Sequence, residues 1–200
     1  MFRRTKKAAG QRPEPLQLVL TLGISLLIIV LAVGLSNAFV VRSYSVVGSS
    51  MEPTLSSGDF VLVNKLPKSW AALTGQTFTP TRGSLLVFKN PFYRINSSEE
   101  FIVKRVIGLP SDHVVIEDGH ITIFNTEHPH GFNPDQDLNG PQQPTSGNVD
   151  RVVPDGELFV AGDNRIGSYS HDSRNGMSTV PLREIEGVVI LRAFPNPRGF

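Results

Sequence analysis

The chain has 200 residues, no cysteine and a formal net charge of +1. That balance conceals a basic head on a mildly acidic body: Arg3, Arg4, Lys6, Lys7 and Arg12 against Glu14 put +4 in the first fifteen residues and leave −3 for the remainder. Such a length suits one ordinary domain with a small appendage; the missing cysteines exclude a disulfide framework and any thiol chemistry, and an acidic body lacks the basic face that nucleic-acid binding requires.

The first element in chain order is apolar. Pro15 to Val41 is a run of 27 residues without a charge, longer than the roughly 20 that span a bilayer core, and "LVLTLGISLLIIVLAVGL" within it is almost wholly apolar. A cleaved leader is the rival reading, because Ser36-Asn37-Ala38 supplies small residues at a plausible cleavage point, yet its apolar region normally stops at about 7–15 residues. A buried core helix would not need apolar residues on every face. The expectation is an uncleaved transmembrane anchor over 16–41, a basic cytoplasmic tail over 1–15, and an extracytoplasmic domain over 42–200, oriented by the positive-inside rule. Lipid bilayer is therefore an expected partner.

Beyond the anchor the texture changes to short β-branched or alternating runs broken by Gly, Pro, Asn and Asp. Residues 60–65, 84–90, 101–108, 113–124, 157–162 and 186–194 read as strands. Asp118-Gly119, between two β runs, reads as a tight hairpin. The expected fold is mainly β: one transmembrane helix, then an antiparallel β-sheet domain whose core (42–112 and 152–196) carries a smaller inserted β/loop subdomain over about 113–151. Segment 67–83 is mixed, with Trp70 either at a membrane interface or partly buried. Segment 125–150 is rich in Pro, Gly, Asn and Gln and offers little to bury. His128 and His130, two apart there, lack the further ligands a metal would need, so no metal site and no cofactor are expected.

"VVGSSMEPTLSSGDFVLVNK" (46–65) places a serine pair just after the apolar run. A serine nucleophile needs a base and an oxyanion donor. None of the five histidines sits in a compelling context, neither Gly-x-Ser-x-Gly nor Ser-x-x-Lys occurs, and a lysine from a distant segment remains. Lys104 lies among Ile102, Val103, Val106 and Ile107. Facing inward, its ammonium would be disfavoured by desolvation, and a fall from about 10.4 to roughly 8 corresponds to about 3 kcal/mol. Spacing alone leaves equally open that Lys104 and Arg105 both reach out to water. The run "GDNRIGSYSHDSRNG" (162–176) has the composition of a polar turn network, in which Asp172 and Arg174 could pair, and equally that of an ordinary solvated loop.

Taken in order after an anchor, "GSSMEPTLSSGDFVLVNK", "RGSLLVFKNP", "FIVKRVIGLPSD" and "VAGDNRIGSYSHDSR" resemble the signature boxes of bacterial type I signal peptidases. The likeness covers about a third of the chain, spread across its soluble part. It implies Ser50 as nucleophile, Lys104 as general base, Ser170 as the serine that orients the lysine, and Asp172 with Arg174 as a supporting ion pair. It implies an oxyanion held by the N–H of the nucleophile; where many members add a serine hydroxyl two residues upstream, this chain has Gly48, followed by Ser49. Two extra residues between "GDNR" and "SHDSR" leave Ser168 as an alternative to Ser170, and Ser111 stands where glycine is commoner.

The same resemblance implies a membrane-bound serine endopeptidase that removes signal peptides from exported precursors. Such a substrate, bound as an extended strand, would direct its −1 and −3 side chains into neighbouring shallow pockets, with Val47, Met51, Leu55, Val61 and Val103 as expected walls. A monomer acting at the cell membrane is expected. Two other readings stand beside it: a Ser-Lys protease with a narrow client, and a membrane-tethered β domain that only binds a partner.

Overall fold

The computed structural model describes residues 15–93, 100–137, 141 and 143–200. They fall into two units, each compact by itself, one ending at Ala38 and the other beginning at Phe39. The first is the helix α1 (Pro15–Phe39), which buries no side chain and is long and apolar enough to cross a membrane. A helix apolar on all sides suits lipid or a protein interior. The basic tail expected before it lies outside the described residues.

The second unit is mainly antiparallel β. It begins with β1 (Val41–Ser45), β2 (Phe60–Asn64), the short helix α2 (Leu66–Thr74) and β3 (Leu85–Lys89). The strands β4 (Phe101–Gly108), β5 (His113–Glu117) and β6 (His120–Phe124) follow, then the single turn α3 (Pro134–Asp137) and β7 (Val149–Val152). β8 (Glu157–Ala161), β9 (Val180–Pro181), β10 (Ile185–Phe194) and β11 (Arg198–Gly199) complete it. The large sheet runs β1-β2-β10-β3-β4-β8-β9, with β11 also paired to β10; a smaller sheet runs β6-β5-β7. That smaller sheet is the inserted β subdomain expected from the sequence.

Every run read as a strand falls on one, and 113–124 holds two, β5 and β6. Asp118 and Gly119 both have positive φ (49° and 81°), the backbone a two-residue hairpin between β5 and β6 requires. The segment 67–83, mixed as a sequence, opens within α2. Pro67 fits the first helical turn, and Gly75 closes the helix in the left-handed region at φ 68°. Nine residues are too few for periodicity to announce a helix. Ser111 has a φ of 70°, which explains why glycine suits that place better.

β3 is buried on both faces. Leu86 and Phe88 pack with Val106, Leu158, Val160 and Ile185, whereas Leu85 and Val87 pack with Val46, Met51, Leu55, Val61 and Val63. A strand covered on two sides loses polar–apolar alternation, as "LLVF" does. A third cluster joins Ile107, Phe159 and Ala161 of the large sheet to Val114, Ile116, Ile121 and Ile123 of the small one.

Candidate active site

Three segments, far apart in sequence, meet at Ser50. The first is the loop that carries it. β1 and β2 pair with Ser45 opposite Phe60, and the ladder continues as Val46 N–H donates to Asp59 O (2.8 Å) and Gly58 N–H to Val46 O (2.9 Å). The loop thus closed is pinned by Met51 and Leu55, both buried in the core beneath it. Burying each of those side chains contributes about 1.5–3 kcal/mol, so they fix the loop from below rather than stand among the groove walls. Gly48 supplies a φ of 88° at the turn before the serines, and Ser49 is exposed beside it. The Ser50 N–H has no acceptor among the described residues.

The second segment is β4. Its register on β3 sets Lys104 opposite Leu86 and Arg105 opposite Leu85. The Lys104 amine lies 2.7 Å from Ser50 Oγ and donates to the Val103 carbonyl at 3.1 Å. Lys104 is only 4% exposed. Arg105 is buried too, correcting the alternative in which both side chains reach water. Its guanidinium grips Asp163 through two bonds of 2.8 and 2.5 Å and donates a third to Gly83 O.

The third segment, 162–176, is a structured network. Pairing of Arg105 with Ala161 ends β8 beside the base strand, so that Gly162 starts the turn there. The next three residues each hold a different part of the molecule. Asp163 binds Arg105 and Thr54. Asn164 donates its N–H to Ser50 O (3.0 Å) and its side-chain amide to Ser49 O (3.2 Å). Arg165, fully buried, holds both oxygens of Asp135 (2.7 and 2.8 Å) and the Thr145 hydroxyl. The 125–150 segment, which offered little to bury as sequence, thus supplies the carboxylate that neutralises the buried arginine following Asn164. Removing one member of such a pair strands a buried charge, at about 3–5 kcal/mol. Asp135→Ala is therefore expected to lower the melting temperature of the detergent-solubilised protein sharply, and Asp135→Ala with Arg165→Met is expected to recover much of the loss.

Asp172 and Arg174 form a buried ion pair, with Asp172 also accepting from Gly162 N–H (2.8 Å). Burial pushes the Asp172 carboxyl up, but the Arg174 hydrogen bond and charge, helped by Gly162 N–H, outweigh it and hold the group below its usual value. Ser170, buried beside it, adds little to that lowering, since its hydroxyl makes no hydrogen bond of normal geometry among the described residues. A folded-state pKa below the unfolded one means that the stabilisation is complete above about pH 4 and is lost as pH falls through the folded value. The melting-temperature gap between wild type and Asp172→Asn is expected to be wide at pH 7 and to narrow at pH 3.

Burial separates the two candidate serines: Ser170 is fully buried, Ser168 exposed. A side chain on Gly162 would drive its Cβ into Ser170 Oγ on one side and the Ser50 carbonyl on the other. Only glycine lets these two segments close.

Ser50 and Lys104 sit in a groove of about 360 Å³. Val47, Val61 and Val103 of the expected walls line it, joined by Tyr44, Val87, Phe101 and Ile102. Asn90, Tyr169 and His171 also line it; sequence reasoning passed over these because no local pattern marks them. The His171 ring meets Phe92 edge-on at 4.7 Å between centroids.

The family model described as "Signal peptidase, peptidase S26" matches residues 19–194. Signal peptidase I P of Bacillus subtilis subsp. natto is 32% identical over 87% of this chain and 88% of its own length. Signal peptidase I U of Bacillus subtilis strain 168 is 33% identical over 77% of this chain and 76% of its own. Among solved structures, a signal peptidase I from Enterococcus faecalis V583 aligns with a TM-score of 0.41 and 24% identity, covering 56% of this chain and 98% of that one.

Proposed function

Because the chain belongs to the signal peptidase family, peptidase S26, we propose that it is a membrane-anchored serine endopeptidase that cleaves signal peptides from exported precursors, with Ser50 as nucleophile and Lys104 as general base. The observation that carries the assignment is the 2.7 Å contact between a buried lysine amine and a serine hydroxyl 54 residues away, in a groove that Val47, Val61 and Val103 also line. Desolvation disfavours the ammonium, so the neutral amine is the form that suits this place. It takes the Ser50 proton as Oγ bonds to the scissile carbonyl carbon, and returns it to the leaving amine as the C–N bond breaks. Water then cleaves the acyl-enzyme by the same base. The Ser50 N–H, with no acceptor among the described residues, faces the developing oxyanion in this scheme. Ser170, buried next to Gly162, stands at the position that the family likeness gives to the lysine-orienting serine, and Gly48 and Ser49 shape the approach.

The substrate binds as an added strand. β8 pairs with β4 from Arg105 onward, Phe101, Ile102 and Val103 line the groove, and main-chain bonds along that stretch would give affinity independent of sequence. Alternate side chains, at −1 and −3, then face the apolar walls made by Val47, Val61 and Val103, where small residues fit. We place the anchor at 16–41, the basic tail in the cytoplasm and the catalytic domain of a monomer outside it. Cleavage of a secretory precursor with Ala at −3 and −1, assayed in detergent micelles with the new N-terminus sequenced, tests the proposal. Wild type is expected to cut after the −1 residue and Ser50→Ala to be inactive; no cleavage by folded wild type would overturn it.

A further inference from the structure

A substrate strand laid along Phe101–Val103 turns its −1 and −3 side chains to one face and its −2 side chain to the other. The register of β4 on β3 defines both faces, because directly paired residues of antiparallel strands point the same way. Val87, opposite Val103, packs with Val61, and Phe101 and Val103 lie against that cluster. Phe88, opposite Ile102, packs with Met177, and Ile102 lies against that one. With −1 and −3 on the valine side, Ile102 marks the −2 side of the groove.

The groove's other lining residues fall on that second side. Asn90 follows Phe88 by two positions, the spacing that keeps a residue on the same face of a strand. Tyr169 and His171 belong to the segment whose Met177 packs with Phe88. They flank the buried Ser170, and both are exposed. Tyr169 comes from the stretch between "GDNR" and "SHDSR" that holds the two extra residues. The His171 ring is backed edge-on by Phe92, itself 51% exposed.

The chemistry of this wall selects its occupant. Two exposed rings, one with a third behind it, offer an aromatic side chain edge-to-face and offset contacts that add to the area buried. A methyl group at −2 would leave both rings in water. Lys104 is the sole Lys, Arg, Asp or Glu among the described residues that line the groove, and it suits its place as a neutral amine, so a charged −2 side chain meets no fixed counter-charge.

We propose that Tyr169 and His171, with Phe92 behind the imidazole, form a subsite for the −2 residue and give the enzyme a preference for an aromatic side chain there. This rests on the peptidase reading given above and deepens it: small residues are admitted at −3 and −1 on one face, and a large one at −2 is held on the other. Between precursors that satisfy −3 and −1 equally, this wall decides which is cut first.

Four precursors with Ala at −3 and −1, differing only in Phe, Leu, Ala or Asp at −2, would be cleaved by the full-length protein in detergent micelles and the new N-termini sequenced. Wild type is expected to show a kcat/KM about fivefold higher for Phe than for Ala, with Leu between them. In Tyr169→Ala/His171→Ala that ratio is expected to fall below about twofold. In Tyr169→Phe/His171→Phe, which keeps both rings, the wild-type ratio is expected to persist. A ratio within one preparation does not depend on how much of it is folded, so a destabilised variant does not mimic the result. Tyr169→Ala alone, at a residue 70% exposed, is expected to lower the ratio as well. Equal rates for Phe and Ala in wild type, or a ratio unchanged by loss of both rings, would overturn the subsite and leave the peptidase reading standing. Preference for Asp would overturn it too, in favour of charge recognition by the imidazole. No cleavage of any precursor by folded wild type would overturn both together.

Discussion

Lys104→Met is expected to abolish precursor cleavage, by at least about 10³-fold in kcat/KM, while the melting temperature holds or rises. The two directions follow from one fact. The amine lies 2.7 Å from Ser50 Oγ at 4% exposure, where a general base takes its proton but where a polar head is costly to bury. Met keeps the length and the packing of the aliphatic stem and removes the nitrogen that reaches the Ser50 hydroxyl. Losing one member of a nucleophile–base pair typically costs several orders of magnitude in kcat. Lys104→Arg should be no better than Met, because a guanidinium stays charged and cannot accept the proton. Cleavage assays and melting curves on the same preparations check both halves. Retained activity in Lys104→Met would remove the lysine from the chemistry even though the family stands, and a large fall in melting temperature would make it a structural group.

The second large effect is expected at a residue with no side chain. Gly162→Ala should lower kcat by about 10²-fold or more with the fold retained. The new Cβ would be forced against the Ser170 hydroxyl and against the Ser50 carbonyl. The first can turn aside. The second is backbone, tied to Asn164 N–H at 3.0 Å, so the nucleophile loop has to move, and a displacement of order 1 Å in a reacting group costs about 10²-fold. Combining Gly162→Ala with Ser170→Ala should not restore the rate, since the carbonyl contact and the Ser170 Cβ remain. Single-turnover cleavage measures the step directly; rescue by the double variant would show that the hydroxyl alone was the obstacle.

These effects fall on residues that were differently legible. Ser50 and Lys104 stood out as residue types in a pattern, but the direction of Lys104 did not, since a strand offers two faces and its sequence does not say which are covered. β4 turned out to be covered on both, which is why Arg105 also lies inside, gripping Asp163. Gly162 passed unremarked as one glycine among eighteen, because what it separates lies eight residues ahead and more than a hundred behind. The same holds for Asp135. In its own segment it is one polar residue among many, and its partner, Arg165, is 30 residues away.

By itself, the sequence determined the apolar span of α1, the strands β2, β3, β4, β5, β6, β8 and β10, and the Asp118-Gly119 hairpin. Each is dictated by neighbours within a few residues: lipid-length apolarity, β-branched runs, a turn that needs positive φ. The ordered boxes also determined the family. Tertiary structure decided what depends on distant pairing. It placed the Lys104 amine against Ser50, buried Ser170 and left Ser168 in water, drew Met51 and Leu55 down into the core, and turned Trp70 of α2 outward. Burial and side-chain contact are set by which strands lie alongside, and with non-local pairing a few residues of sequence cannot say which those will be.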